Sequence, residues 1–148
     1  MIYKSTISKT NKIIFGFVFL IIILATIPVM YSKDLTPFIV VVSINLITLF
    51  FLAWILVDTE YIVDKNNLNC KSGPFQKTIS IASIKKITYH NGIIVPVTFK
   101  PALSHKGLII TYNNNDAIYV SPENESDFIE LLLKTNDTIK VIPIKNEI

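Results

Sequence analysis

Arginine is absent from the 148 residues, so all fourteen cationic side chains are lysines. A guanidinium grips a phosphate through a planar two-pronged contact, whereas a lysine ammonium offers only a point charge. A pocket specific for one phosphoinositide headgroup is therefore not expected. Cysteine is nearly absent too: Cys70 stands alone, which rules out an internal disulfide and any site built from several thiolates. Four glycines leave no glycine-rich phosphate loop, and no nucleophile-elbow pattern surrounds any serine. His90 and His105, even taken with Cys70, have no metal-ligand spacing. The acids Glu123, Glu125, Asp127 and Glu130 cluster where a helix should start, and compensation of the helix dipole accounts for them. Neither an enzyme nor a bound cofactor or metal is expected, and nothing points to nucleic acid.

Two long uncharged apolar runs, residues 13–30 and 37–57, hold 18 and 21 residues without a charged side chain. At about 1.5 Å per residue they reach roughly 27 to 32 Å, the thickness of a bilayer's hydrocarbon core. The first run is not expected to be a cleaved signal, because no small-x-small site follows it and the second run begins almost at once. The six-residue connection, 31–36, makes the two helices antiparallel neighbours; Asp34, Thr36 and Pro37 supply turn and helix-start chemistry. Lys4, Lys9 and Lys12 precede the first run, and Lys65, Lys71 and Lys77 follow the second, against Lys33 alone in the loop. The positive-inside rule then puts both termini in the cytoplasm, in a multi-pass membrane arrangement, with Tyr31 and Trp54 as interfacial anchors. Within the second run Ser43 and Asn45 are the candidate helix-packing residues.

Beyond residue 57 the pattern turns to short alternating runs separated by Asn, Gly and Pro, which reads as successive antiparallel strands. Strands are expected at 60–64, 68–71, 75–80, 84–90, 108–112 and 117–120, the last two forming a hairpin across Asn113-Asn114-Asn115-Asp116. Pro96 and Pro101 keep residues 93–106 at an edge or in a loop. A helix follows, with Ser121 as its cap, Pro122 in its first turn, and Phe128, Leu131 and Leu132 on one face. The expected division is 1–57 for the N-terminal segment and hairpin, 58–137 for the β-rich domain, and 138–148 for a tail or edge strand.

The segments Ile79-Ser80-Ile81-Ala82-Ser83-Ile84-Lys85-Lys86-Ile87, Pro101-Ala102-Leu103-Ser104, Leu108-Ile109-Ile110-Thr111-Tyr112, Val120-Ser121-Pro122 and Phe128-Ile129-Glu130-Leu131-Leu132, in that order, resemble a bacterial pleckstrin-homology-like (PH-like) family often found behind two membrane helices. The resemblance covers about 58–136. It implies an α+β domain, a curled antiparallel sheet or barrel closed by a C-terminal helix, tethered to a membrane, with no defined activity to carry over. Where that family usually has an acid and an arginine, this chain has Lys106 and Gly107.

Charge is segregated along the domain. Residues 65–106 carry Lys65, Lys71, Lys77, Lys85, Lys86, Lys100 and Lys106 and no acid, while residues 107–148 hold three lysines against seven acids. These seven lysines are the candidate contacts to an anionic lipid surface. The reading is a membrane-anchored, non-catalytic interaction module for a protein partner or the anionic bilayer surface, self-protection or immunity being one such role. The alternative is an accessory subunit of a membrane transporter or membrane enzyme, in which Ser43 and Asn45 would face a partner's helices.

Overall fold

The structure, a computed structural model, describes residues 1–31, 34–92 and 94–143. Lys33, Ile93 and Ile144 of the expected loop and tail lie outside the described residues. The first apolar run forms α1 (Lys9–Leu24) and a short α2 (Ile27–Met30); the second forms α3 (Leu35–Val57). Ser8 accounts for the early start of α1, since its Oγ accepts the Asn11 N–H at 3.2 Å and so caps the helix four residues before the apolar run. Pro28, which has no N–H to donate, sits in the first turn of α2, where none is needed. Lys9–Met30 spans 22 residues at mean hydropathy 2.9 and Leu35–Val57 spans 23 at 2.6, long and apolar enough to cross a membrane. None of either span is buried within the chain, which distinguishes them from the core helices of a globular domain.

Eight strands and one further helix build the rest of the described residues. The first sheet has the order β1 (Ile2–Lys4), β2 (Thr59–Val63), β3 (Asn67–Ser72), β4 (Phe75–Ser80), all antiparallel. A 3₁₀ turn (Ile81–Ser83) leads to the second sheet, of order β7 (Asp116–Val120), β6 (Lys106–Tyr112), β5 (Ile84–Asn91), β8 (Lys140–Ile142). Where a single curled sheet or barrel was expected, the described residues form two four-stranded sheets and no closed ring of strands. Period-two alternation fixes the inner face: Tyr61 and Val63 from β2, Leu68 and Cys70 from β3, and Leu108 and Ile110 from β6 all point into one core.

Two features differ from the sequence reading. The expected division groups residues 2–4 with the hairpin segment, whereas Ile2, Tyr3 and Lys4 pair with Ile62, Tyr61 and Glu60 of the β domain, and the Tyr3 ring meets Phe128 edge-on at 5.2 Å. A three-residue strand is too short to announce itself by periodicity. The C-terminal helix, α4 (Glu125–Thr135), begins after Asn124 and has no side-chain cap, so Ser121 is not its cap. Ser121 is fully buried, and its hydroxyl lies 2.9 Å from Ser5 Oγ. The buried face of α4 is Phe128, Ile129 and Leu132, with Leu131 only half-covered. Lys140–Ile142, in the segment expected as a tail or edge strand, lies parallel to β5 as the edge strand β8.

Strand β5 breaks its alternation at Lys85-Lys86, between buried Ile84 and Ile87. A register shift against β6 occurs at this point. The extra residue lets both lysines face solvent while both isoleucines face the core, the geometric effect of a β-bulge.

Candidate functional site

Both ends of the hairpin enter the same end of the β domain. At the first junction Ser8 N–H and Asn11 Nδ2 donate to the Leu103 carbonyl, at 3.4 and 2.7 Å. Ser5, just after β1, is buried and receives the Leu103 N–H at 3.1 Å. The Tyr61 hydroxyl gathers the pieces: it donates to the Pro101 carbonyl, accepts the Ser121 N–H at 3.0 Å, and lies 3.2 Å from Ser5 Oγ. One buried phenol therefore ties β2 to the segment before α1, to the loop around Pro101 and to the end of β7. Burial pushes its pKa up to about 12, so it stays a neutral donor.

At the second junction α3 runs into β2 with one residue between them. Asp58 accepts from the Trp54 indole at 3.0 Å and pairs with Lys71 Nζ at 2.9 Å; the Lys71 hydrogen bond outweighs desolvation and lowers its pKa. Gly73, in the β3–β4 turn, has φ +54°, and a Cβ there would lie 3.0 Å from Ile55 Cγ1. A turn requiring left-handed backbone is thus packed directly against the last turns of α3. Gly107, at the unusual Lys106-Gly107 pair, has a physical reason as well: a Cβ would come within 2.3 Å of the Val120 carbonyl oxygen.

The seven candidate lysines do not share one face. Lys100 and Lys106 lie at the hairpin end, lining hollows with Thr10, Asn11 and Lys9 of α1. Lys71 is taken up by Asp58. Lys77 reaches across the gap between the sheets, its Nζ 5.5 Å from the centre of the Tyr112 ring. Lys65, in the β2–β3 turn, and Lys85 and Lys86, at the start of β5, are at the opposite end. The run of β5 from Lys85 to Asn91 separates the two ends by about 20 Å at roughly 3.3 Å per residue. The far-end lysines gain a companion the sequence reading left out, Lys140, abreast of Lys86 in the parallel β5–β8 pairing.

The hairpin end also exposes apolar side chains. Phe75 is 54% exposed beside Gly73, and Ile94 is 86% exposed in the loop after β5. The neighbours of Ile94, Gly92 and Val95, line a hollow against Ile14 of α1. In the hairpin Asn45 Nδ2 donates to the Ile22 carbonyl at 3.2 Å, whereas Ser43 faces outward.

Nothing among the described residues gathers three metal-ligating side chains. Cys70 is in the core, its thiol pushed up to about 12 by burial, while His90 packs its ring edge-on to Tyr119 at 5.9 Å near the hairpin end. His90 Nε2 is buried with no hydrogen-bond partner among the described residues. Burial and the nearby Glu125 raise the Tyr119 phenol, and burial raises Glu125 itself.

The signals for Ser5, Tyr61 and Ser121 as one network were too far apart in sequence to link. The doubled lysine in β5 was the visible sign of the bulge. Residues 59–136 match the sequence model of a family described as a bacterial PH domain. No protein with a curated description matches the chain.

Proposed function

We propose that this chain, which belongs to the bacterial PH domain family, is a membrane-anchored, non-catalytic interaction module whose domain sits on the cytoplasmic surface of a bacterial cell membrane. The observation that carries the reading is a coincidence at one end of the domain. Both hairpin junctions, the exposed Phe75 and Ile94, and Lys9, Lys12, Lys100 and Lys106 all occur there. An apolar side chain moved from water into the acyl boundary contributes up to about 1.5–3 kcal/mol, and each lysine near an anionic surface about 1 kcal/mol. Glu123 and Glu125 at the same end offset part of that charge. Lys65, Lys85 and Lys86, roughly 20 Å away, lie beyond two Debye lengths at physiological salt and contribute little.

The pairing of β1 with β2 supports termini on one side of the membrane, since the segments before and after the hairpin share a sheet. The lysine flanks favour the cytoplasm as that side. Asn45, bonded within the hairpin, gives an accessory-subunit role no particular support.

Hydrogen exchange on the full chain in nanodiscs tests the reading. Replacing zwitterionic by partly anionic lipid should slow exchange at 72–76, 94–101 and 104–107 and leave 64–66 and 84–86 unchanged. Equal exchange at every segment in both lipids would sink it.

A further inference from the structure

We infer that the end of the domain facing away from the hairpin carries a docking site for an extended acidic segment of a protein partner, laid along β8 beside Lys85, Lys86 and Lys140. The inference rests on the membrane-seated reading only in supposing this end faces the cytosol. Three observations carry it. First, the bulge in β5 turns two consecutive lysines outward where regular alternation would bury one. Second, Lys86 lies directly abreast of Lys140 on the neighbouring strand, an arrangement of like charges that is unfavourable unless something anionic lies over it. Third, the lysines border an open hollow of about 660 Å³ whose other walls include Ser83, Asn113 and Thr138 and no acid among the described residues.

The nearby acids Asp116 and Asp137 form no ion pair with these lysines among the described residues. Asp116 accepts from Asn113 Nδ2 at 3.0 Å, and the ion pairs of the domain are Lys71 with Asp58 and Lys134 with Glu130 among the described residues, leaving these three lysines out. The hollow's walls are well fixed: the Asn113 N–H donates to the Ser83 carbonyl at 3.0 Å, and Asn136 Nδ2 donates to the Ile81 and Ile84 carbonyls at 2.9 and 3.2 Å.

The choice of a peptide over a small phosphate compound follows from the shape and the donors. The hollow is open, it has ammonium groups without a guanidinium fork, and it lacks a glycine-rich loop that would wrap a phosphate. Beside it β8 is the edge strand of its sheet, with Val141 and Ile142 partly exposed. An edge offers backbone hydrogen bonds to an added strand, and the lysines select one whose alternate residues are acidic.

The test uses the full chain in detergent micelles and in neutral-lipid nanodiscs, titrated into a fluorescein-labelled peptide of alternating glutamate and threonine. A peptide of alternating lysine and threonine is the control. Anisotropy should report saturable binding of the acidic peptide in both settings. It should weaken at least tenfold in the Lys85→Gln/Lys86→Gln/Lys140→Gln variant, whose circular dichroism and melting should show it folded, and also on raising salt. The control should not bind. Binding in micelles but not nanodiscs upholds the site and overturns its cytosolic placement. Absence of binding in both, binding unchanged in the variant, or saturation by tripolyphosphate but not the acidic peptide overturns the site.

Discussion

Replacing Tyr61 by phenylalanine removes a single oxygen from the core, and the structure states what that oxygen does. It accepts the Ser121 N–H and donates to the Pro101 carbonyl, both at buried residues. Phenylalanine fills nearly the same volume, so no cavity term enters, and the ring's contact with Phe128 at 6.1 Å survives. What remains is the desolvation of two orphaned backbone groups, at about 1–3 kcal/mol each. Ser5 Oγ keeps the Leu103 N–H and Ser121 as partners, so it adds little. The expected loss is about 2–6 kcal/mol, a large share of the roughly 5–15 kcal/mol by which domains are stable. Denaturant titration of the detergent-solubilised chain would measure it. Hydrogen exchange should accelerate first at residues 5–8 and 101–105, because those segments lose their common tie. A loss below about 0.5 kcal/mol, or faster exchange spread evenly over the sheets, would refute the reasoning that this phenol holds the hairpin end together.

Gly107→Ala should cost about 1–3 kcal/mol, the price of forcing atoms into filled space, because its Cβ meets backbone at Val120 instead of a movable side chain; thermal melting checks it. Lys86→Gln should raise stability by about 0.2–1 kcal/mol by relieving the Lys86–Lys140 pair, and a lowered midpoint in urea would contradict that. The Cys70 thiol, held at a pKa of about 12 from an ordinary 9, should resist thiol reagents until the domain unfolds. Because its folded pKa is raised, its stabilising contribution is complete below pH 9 and is lost as pH rises towards 12; Tyr61 acts likewise from pH 10. Deleting residues 1–4 should destabilise the β domain by several kcal/mol, since it uncovers the β2 edge and removes Tyr3 from Phe128; proteolysis kinetics would report it.

Much of the fold was legible because its signals are local. The hairpin follows from two uncharged runs, and β4 occupies the expected 75–80 because a glycine-proline turn and a serine-rich 3₁₀ turn bracket it. Misreadings arose where local chemistry competes with tertiary pairing. Ser121 followed by Pro122 has the look of a helix start, yet its hydroxyl satisfies a buried serine 116 residues away, and the helix begins four residues later. The same limit applies to charge: seven lysines with no acid between them in sequence are scattered over the domain, because antiparallel strands carry alternate turns to opposite ends. Phe75 and Ile94 drew no notice, since exposure is a property of the packed chain and not of the residue.

In the proposed arrangement the hairpin end lies against the bilayer and the bulged lysine end points away. Environment-sensitive fluorophores placed on Ile94→Cys and, separately, Lys85→Cys would test it in full chains reconstituted into liposomes, with buried Cys70 left unlabelled. The residue 94 fluorophore should be quenched by spin-labelled lipid and shielded from iodide, and the residue 85 fluorophore should show the reverse. Equal access of iodide to both positions would contradict the account.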